Sequence, residues 1–338
     1  MNSRRLIKIT FPILLLVGVY FIGPSPDRPV YNLKMPEVPS GASELESYAA
    51  KMESTHKIKP GNGAKVVWYD SVARRKTRYA VVYLHGFSAS QMEGDPVHRH
   101  FAKEFGCNLY LSRLSDHGID TTESLLLFTP DRFWESAKEA LAIGKSLGEK
   151  VILMSTSTGS TVALKLAAEY PNDVFGLINL SPNIELRNGA AFIANDPWGL
   201  QIARLVVGGD NNVTDSDEDA AKYWNKKYRL EAVSQLEELL ETTMNKKLFQ
   251  RIKQPSLSLY YFESEEKQDP QVKVSAILRM NEELGTPIDK KVAVNVPTAG
   301  AHVLGSWLTS NDVEGVYKEI EKFAVKTLRM DKVKKVGR

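Results

Sequence analysis

The sequence predicts an α/β fold: a mostly parallel central sheet with an antiparallel start, helices on both faces and an inserted helical cap. Three observations carry this reading. Apolar runs of strand length alternate with amphipathic segments of helical period. The runs are nearly continuous in apolar character, as strands buried on both faces require. One long block, Asn183 to about Lys253, breaks the alternation with helical segments of its own.

The elements follow in order. "SELESYAAKMEST" reads as a short amphipathic helix with Ser43 as N-cap and Glu46 three residues on, a capping box. The strand runs are "AKVVWYD" (64–70), "RYAVVYLHG" (78–86), "NLYLSRL" (108–114), "VILMS" (151–155), "FGLINLS" (175–181), "PSLSLYYF" (255–262) and "KVAVNVP" (291–297). The first two are joined by "SVARRKT", which suits an antiparallel hairpin at one edge. "TPDRFWESAKEALAIGKSLG" offers Thr129 as N-cap, Pro130 at the first helical position and Gly148 as the stop. "STGSTVALKLAAEYP" is a helix ending before Pro171, and "DPQVKVSAILRMNEELG" and "SNDVEGVYKEIEKFAVKTLRM" are amphipathic helices. Within the interrupting block, helices are expected around 196–207, 217–228 and 231–249. Its "GGDNNVTDSDED" lacks the glycine and closing glutamate of a calcium loop and reads as a solvated acidic loop.

The N-terminus stands apart. Arg4, Arg5 and Lys8 precede an apolar stretch from Ile9 to Gly23, which reads as a signal-anchor or a signal peptide. The basic flank places the N-terminus inside and the remaining chain on the non-cytoplasmic side. "FIG" followed by Pro24 is a poor cleavage site, which favours an uncleaved anchor; cleavage would give a secreted protein. Residues 24–43 hold five of the chain's 16 prolines and read as an extended linker. The domain organisation is thus 1–23 signal-anchor or signal peptide, 24–43 linker, 44–330 α/β domain with a cap at about 183–253, and 331–338 basic tail.

Composition excludes several function classes. A formal net charge of +3, without a basic stripe carrying interleaved aromatics, argues against nucleic-acid binding. One cysteine, Cys107, permits no intrachain disulfide and sits at the start of an apolar run, where a small buried residue is the plain reading. No cysteine pair has zinc-site spacing. His98 and His100 in "DPVHRHF" fit a helix face better than a metal site.

The chemistry concentrates at "VILMSTSTGSTVALKL". A strand, a tight turn and a helix with small residues two before and two after a serine form the frame of a nucleophile elbow. Ser157 has Ser155 and Gly159 at those places. Centring on Ser155 puts Leu153 at the flank, and centring on Ser160 puts Val162 there. A serine-rich turn before a helix also serves as a plain N-cap, so the turn alone leaves both roles open.

The surroundings are similar to the α/β-hydrolase superfamily, and most to its monoacylglycerol-lipase and carboxylesterase branch. "YLHGFS" matches the HG-x turn after the second strand, and "SRLSDHGID" matches the loop after the next. "PSLSLYYFESEEKQDPQVKV" matches the strand followed by an acid, and "VPTAGAHVLGS" the late glycine-rich loop carrying histidine. The resemblance implies a serine hydrolase acting on lipid or small acyl esters, with no cofactor or metal. Ser157 would be the nucleophile, His302 the base and Asp269 the orienting acid, with Glu263, Glu265 and Glu266 as rivals for the last place. The backbone N–H groups of Phe87 and Thr158 would form the oxyanion hole. The same triad also serves peptidase, thioesterase and acyl-transfer chemistry, and non-catalytic members of the fold exist. Phe192, Trp198, Leu200, Ile202, Leu205 and Val206 are candidates to line an acyl pocket or, more simply, to pack on the core.

Overall fold

The computed structural model describes residues 17–214 and 218–334. Its strands are β1 (Lys65–Val67), β2 (Thr77–Leu84), β3 (Asn108–Leu111), β4 (Gly148–Thr156), β5 (Val174–Leu180), β6 (Asn211–Val213), β7 (Lys227–Arg229), β8 (Ser256–Tyr260) and β9 (Lys291–Asn295). Seven of them form one sheet in the order β1-β3-β2-β4-β5-β8-β9, parallel except for β1 against β3. The longer helices are α1 (Ala42–Glu53), α2 (Val97–Glu104), α3 (Pro130–Leu147), α4 (Thr158–Glu169), α5 (Gly199–Val207), α6 (Leu230–Thr243), α7 (Val274–Glu283) and α8 (Val313–Lys326).

The sheet separates two apolar layers, because successive strand residues point to opposite faces. Val82, Leu84 and Leu153 face a layer built with α3, α4, α6 and α7, which contribute Trp134, Val162, Leu236 and Ile277. Val81, Tyr83 and Met154 face the layer beneath α2 and α8, built with Phe101 and Phe323. α3 starts and stops where its sequence predicts: Thr129 Oγ1 accepts from Arg132 N, Pro130 opens the helix and Gly148 caps it.

Four expectations change. The antiparallel start is real, but it is not a β1–β2 hairpin: β1 pairs with β3. The fully buried run of β2 suits a central strand with parallel neighbours on both sides, whereas β1 is short and partly exposed, as an edge strand is. Asn108 fixes this crossing by accepting from Tyr69 N at 2.9 Å and donating to Arg75 O at 2.8 Å. Second, the Ser43/Glu46 capping box is absent. Gly41 is the N-cap of α1, and Glu46 instead accepts from Trp68 Nε1 at 2.7 Å and pairs with Arg74.

Third, among the described residues of the 217–228 segment the helix is a single turn, Glu218–Ala221, followed by β7, which pairs antiparallel with β6. The later part of the 183–253 block also joins the main core: Ala232, Leu236 and Leu239 on α6 and Phe249 lie in the layer with α3 and α4. Fourth, the proline-rich stretch after Gly23 is a strap on the surface. Trp134 Nε1 donates to Asn32 O (2.7 Å), Lys138 Nζ to Lys34 O (2.8 Å) and Tyr170 OH to Leu33 O (2.8 Å), while Tyr31 OH pairs with Thr242 Oγ1 (2.6 Å). Prolines leave no N–H to satisfy, and the strap's carbonyls find donors on α3 and at the end of α4. Further up, Trp198 N and Nε1 donate to Pro24 O (3.0 Å) and Val19 O (2.9 Å), tying the strap to the start of α5.

Among the described residues no helix is long and apolar enough to cross a membrane. The basic flank and most of the expected anchor, residues 1–16, lie outside the described residues, as does the end of the basic tail.

Candidate active site

The β4–α4 turn holds Ser157 at φ 50°, ψ −122°, a left-handed backbone that L residues seldom adopt. Three backbone bonds maintain it. Ser157 N–H donates to Leu180 O (2.9 Å), and Ser157 O accepts from Ser160 N (2.9 Å) and Asn183 N (3.1 Å). Ser157 occupies the N-cap position of α4 but makes no side-chain cap bond, so its hydroxyl is not spent on the helix. Its neighbours are spent: Ser155 Oγ lies 2.9 Å from Ser160 Oγ and also bonds Asn179. Gly159 is required by close approach, since a Cβ there would lie 2.1 Å from Leu84 O.

His302 and Asp269 meet. His302 Nδ1 lies 2.7 Å and 2.9 Å from the two Asp269 carboxylate oxygens. Asp269 is fully buried and accepts from Gln271 N (2.8 Å) and Val272 N (3.0 Å). Burial works against its charge, but His302 and these two amides prevail and hold its carboxyl below the usual carboxylate range. Burial likewise opposes a charged His302, yet the Asp269 carboxylate raises its imidazole above the ordinary value, with a further push from Glu93. The rival acids turn outward: Glu263 pairs with Lys267, Glu266 with Ser264, and Glu265 with Gln268. Leu180 and Ser181, at the end of β5, join the two halves of the site. Leu180 O holds Ser157 N–H, and Ser181 Oγ donates to His302 O at 2.7 Å.

The HG-x turn lies against the elbow. A Cβ at Gly86 would sit 2.9 Å from Ser157 Cβ, so only glycine lets the turn come this close. His85 is buried, accepts from Leu114 N at 3.0 Å, and is held uncharged by burial, a structural part in fixing the turn. Phe87 forms an aromatic wall with Phe128 (5.2 Å between ring centroids), Tyr228 (5.3 Å) and His117 (5.9 Å). Tyr228 belongs to β7, and Asn225 N–H donates to Ser88 O at 2.7 Å, so the insertion between β5 and β8 covers this turn.

Two residues here have no signature in the sequence. Asn183 braces the elbow through its N–H to Ser157 O, and its carbonyl accepts from Thr161 Oγ1 at 2.7 Å. Glu93 is buried beside the HG-x turn and accepts from Gly86 N at 2.5 Å. A glutamate in a polar stretch reads as surface, and only its return to Gly86 distinguishes it.

Other candidates fall where the plainer reading put them. Cys107 is buried, its thiol pushed up to about 12. His98 is buried on α2 with Nε2 2.9 Å from Gln91 O, and His100 lies against Tyr317. Among the described residues no group of three His, Cys, Asp or Glu side chains could hold a metal. The insertion residues differ from expectation. Phe192 (58% exposed), Ile202 (45%), Leu205 (85%) and Val206 (81%) face solvent rather than the core. Leu200 lines a small cavity of about 170 Å³ with Pro24 and Pro26.

The mostly parallel sheet with its surrounding helices superposes on solved structures over most of the chain. The chain has the α/β-hydrolase fold. One of two metagenome-derived lipolytic enzymes, LipS and LipT, superposes with a TM-score of 0.61 at 17% identity over 79% of this chain and 98% of that one. The monoacylglycerol lipase of Paleococcus ferrophilus gives 0.58 at 15% identity, covering 78% and 97%. A soluble variant of the monoglyceride lipase of Saccharomyces cerevisiae gives 0.57 at 14% identity, covering 77% and 90%. No protein-family model and no curated protein sequence matches the chain. At these identities the likeness establishes the α/β-hydrolase fold, and the chemistry rests on the site's own residues.

Proposed function

We propose that the protein is a serine hydrolase of carboxylic esters, acting through an acyl-enzyme on Ser157. The observation that carries this is Ser157 itself: a strained serine with an uncommitted hydroxyl, its N–H held by Leu180 O while the adjacent Ser181 Oγ holds the backbone of His302, the partner of Asp269. A serine hydroxyl is a weak nucleophile at neutral pH and needs a base. His302 takes its proton as Ser157 attacks the ester carbonyl, and returns it to the departing alcohol. Asp269 fixes the imidazole with Nδ1–H toward itself, which leaves Nε2 as the base, and stabilises the imidazolium. The N–H groups of Phe87 and Thr158 receive the oxyanion. Water, activated by the same histidine, then frees the acid.

The aromatic wall of Phe87, Phe128 and Tyr228 suits an apolar acyl or aryl group. Lipase and esterase neighbours support esters over other acyl compounds. The N-terminal run is the membrane anchor in this reading, with the α/β-hydrolase domain on the non-cytoplasmic side. Exposed apolar side chains support that assignment: Phe21 and Ile22 (73% and 79% exposed) and, on α5, Leu205 and Val206, with Trp198 Nε1 donating to Val19 O between the two segments.

The test is a fluorophosphonate probe on the full chain, with turnover of p-nitrophenyl esters, aminoacyl amides and acyl thioesters measured in parallel. Labelling at Ser157 and ester turnover, both lost in Ser157→Ala, are expected. Labelling that persists in that variant removes Ser157 from the chemistry, and preference for amides or thioesters reassigns the substrate class.

A further inference from the structure

Glutamate is seldom fully buried unless something pairs it. Glu93 is 2% exposed, and the oppositely charged group acting on it is His302 rather than a lysine or arginine. Its position explains why it is there. A Cβ at Gly86 would lie 2.9 Å from Glu93 Oε1 and 2.9 Å from Ser157 Cβ, so carboxylate and nucleophile flank the same glycine. Glu93 Oε2 holds Gly86 N–H, the peptide immediately before the one that carries the Phe87 N–H. The short turn bearing it, Gln91–Gly94, is fastened to the histidine loop by Ser306 Oγ, which donates to Met92 O at 3.1 Å. Trp224 of the insertion favours the charged form of the same carboxylate. Three parts of the site, the HG-x turn, the histidine loop and the insertion, therefore meet at Glu93 and the short turn that bears it.

We propose that Glu93 is a positioning residue for the hydrolysis: it clamps the Gly86–Phe87 turn so that the Phe87 N–H meets the oxyanion, and its charge supports the imidazolium of His302. The first part needs only an acceptor, because any oxygen at that place would hold Gly86 N–H. The second needs a carboxylate, because attack converts His302 to a cation and a nearby negative charge favours that form. Burial raises the Glu93 carboxyl to about 7, against the opposing pull of Gly86 N–H, His302 and Trp224, so the charge is present on the alkaline side of neutrality. The other titratable groups near it are Tyr83 on β2, His85 next to Gly86 and His98 against Gly94, both histidines held uncharged by burial, with Asp269 beyond His302. The proposal rests on the reading of Ser157 and His302 as nucleophile and base.

The experiment compares wild type, Glu93→Gln, Glu93→Ala and Trp224→Phe as full chains. It measures fluorophosphonate labelling of Ser157 and the pH profile of kcat and KM on a soluble ester. Glu93→Ala should lower kcat by about 10²-fold, the cost of an ångström-scale misplacement, with KM little changed. Glu93→Gln retains an acceptor and should recover most of that loss. Its acidic limb of kcat/KM should move to lower pH, because the charge that raises His302 is gone. Trp224→Phe, which leaves the carboxylate in place, should give a smaller fall in kcat and serves if Glu93→Ala does not fold. Wild-type kcat per labelled site in Glu93→Ala or, where that variant does not fold, in Trp224→Phe overturns the proposal. So does a Glu93→Gln profile that tracks folded fraction with no shift of the limb. Failure of the wild type to label at Ser157 is a different result: it overturns the hydrolase reading and this proposal with it.

Discussion

Ser155 Oγ and Ser160 Oγ lie 2.9 Å apart on either side of Ser157, and each is committed to the other. Of the three serines in "STSTGS", only the middle one leaves its hydroxyl uncommitted. Ser155→Ala and Ser160→Ala should therefore retain probe labelling while losing about 1–3 kcal/mol of stability in urea titration, because a buried polar partner is left unmet. Loss of labelling in Ser155→Ala with stability unchanged would move the nucleophile.

The elbow's glycine tolerates no Cβ. Gly159→Ala would put one 2.1 Å from Leu84 O and 2.6 Å from His85 O, both backbone atoms that cannot step aside. A loss of about 3 kcal/mol or more, or no folded protein, is expected in thermal unfolding. A stable and active variant would mean that the β2–β4 spacing is looser than this.

In the proposed mechanism the His302–Asp269 couple sets the pH profile. His302 titrates above its ordinary value, and only the neutral imidazole can accept the serine proton. The acidic limb of kcat/KM should lie above about 6.5, and Asp269→Asn should lower kcat on the order of 10⁴-fold. Stability follows the same shifts. The raised His302 value contributes stability below the unfolded imidazole pKa, lost as pH rises through the folded one. The depressed Asp269 value contributes stability above the ordinary carboxylate pKa, lost as pH falls through the folded one. Urea titrations across pH check both.

The strap has a proteolytic signature. Trp134→Phe removes the donor to Asn32 O and should cost about 1 kcal/mol. Trypsin cleavage after Lys34 should accelerate about fivefold, because opening of the strap governs access. An unchanged cleavage rate would show that the other strap bonds suffice.

The outward face of α5 separates two kinds of substrate. Leu205→Ser with Val206→Ser should lower turnover of an ester carried in vesicles by about tenfold or more, given the apolar area withdrawn. Hydrolysis of a soluble ester should not change, because neither side chain belongs to the catalytic machinery. Equal effects on both substrates would place the face in folding instead.

Much of this was legible in the chain. The seven sheet strands, the Thr129–Pro130–Gly148 helix and the elbow each leave a local mark: period, cap or small-residue frame. The choice of Asp269 over Glu263, Glu265 and Glu266 was not decidable locally. It turns on which carboxylate is buried with two backbone amides and reaches His302. Pairing of β1 with β3 was hidden because adjacency in sequence favours a hairpin, and the preference of β2 for a central place is a property of the whole sheet. The strap was missed because proline content signals extension, and an extended chain can be free or fastened. Glu93 and Asn183 act through contacts made by folding, and nothing adjacent to them in sequence announces it.

Fastening the proline-rich stretch changes what an attachment at the N-terminus would do. Twenty residues free in water behave as a leash about 25 Å long on average, and a domain on it tumbles. Here Tyr31 to Lys34 lie fixed along α3 and α4, and Pro24 is fixed to Trp198. The slack is gone, so force or position applied before Pro24 passes to the insertion and the sheet together. The strap acts as a stiff bracket that gives the candidate active site a heading.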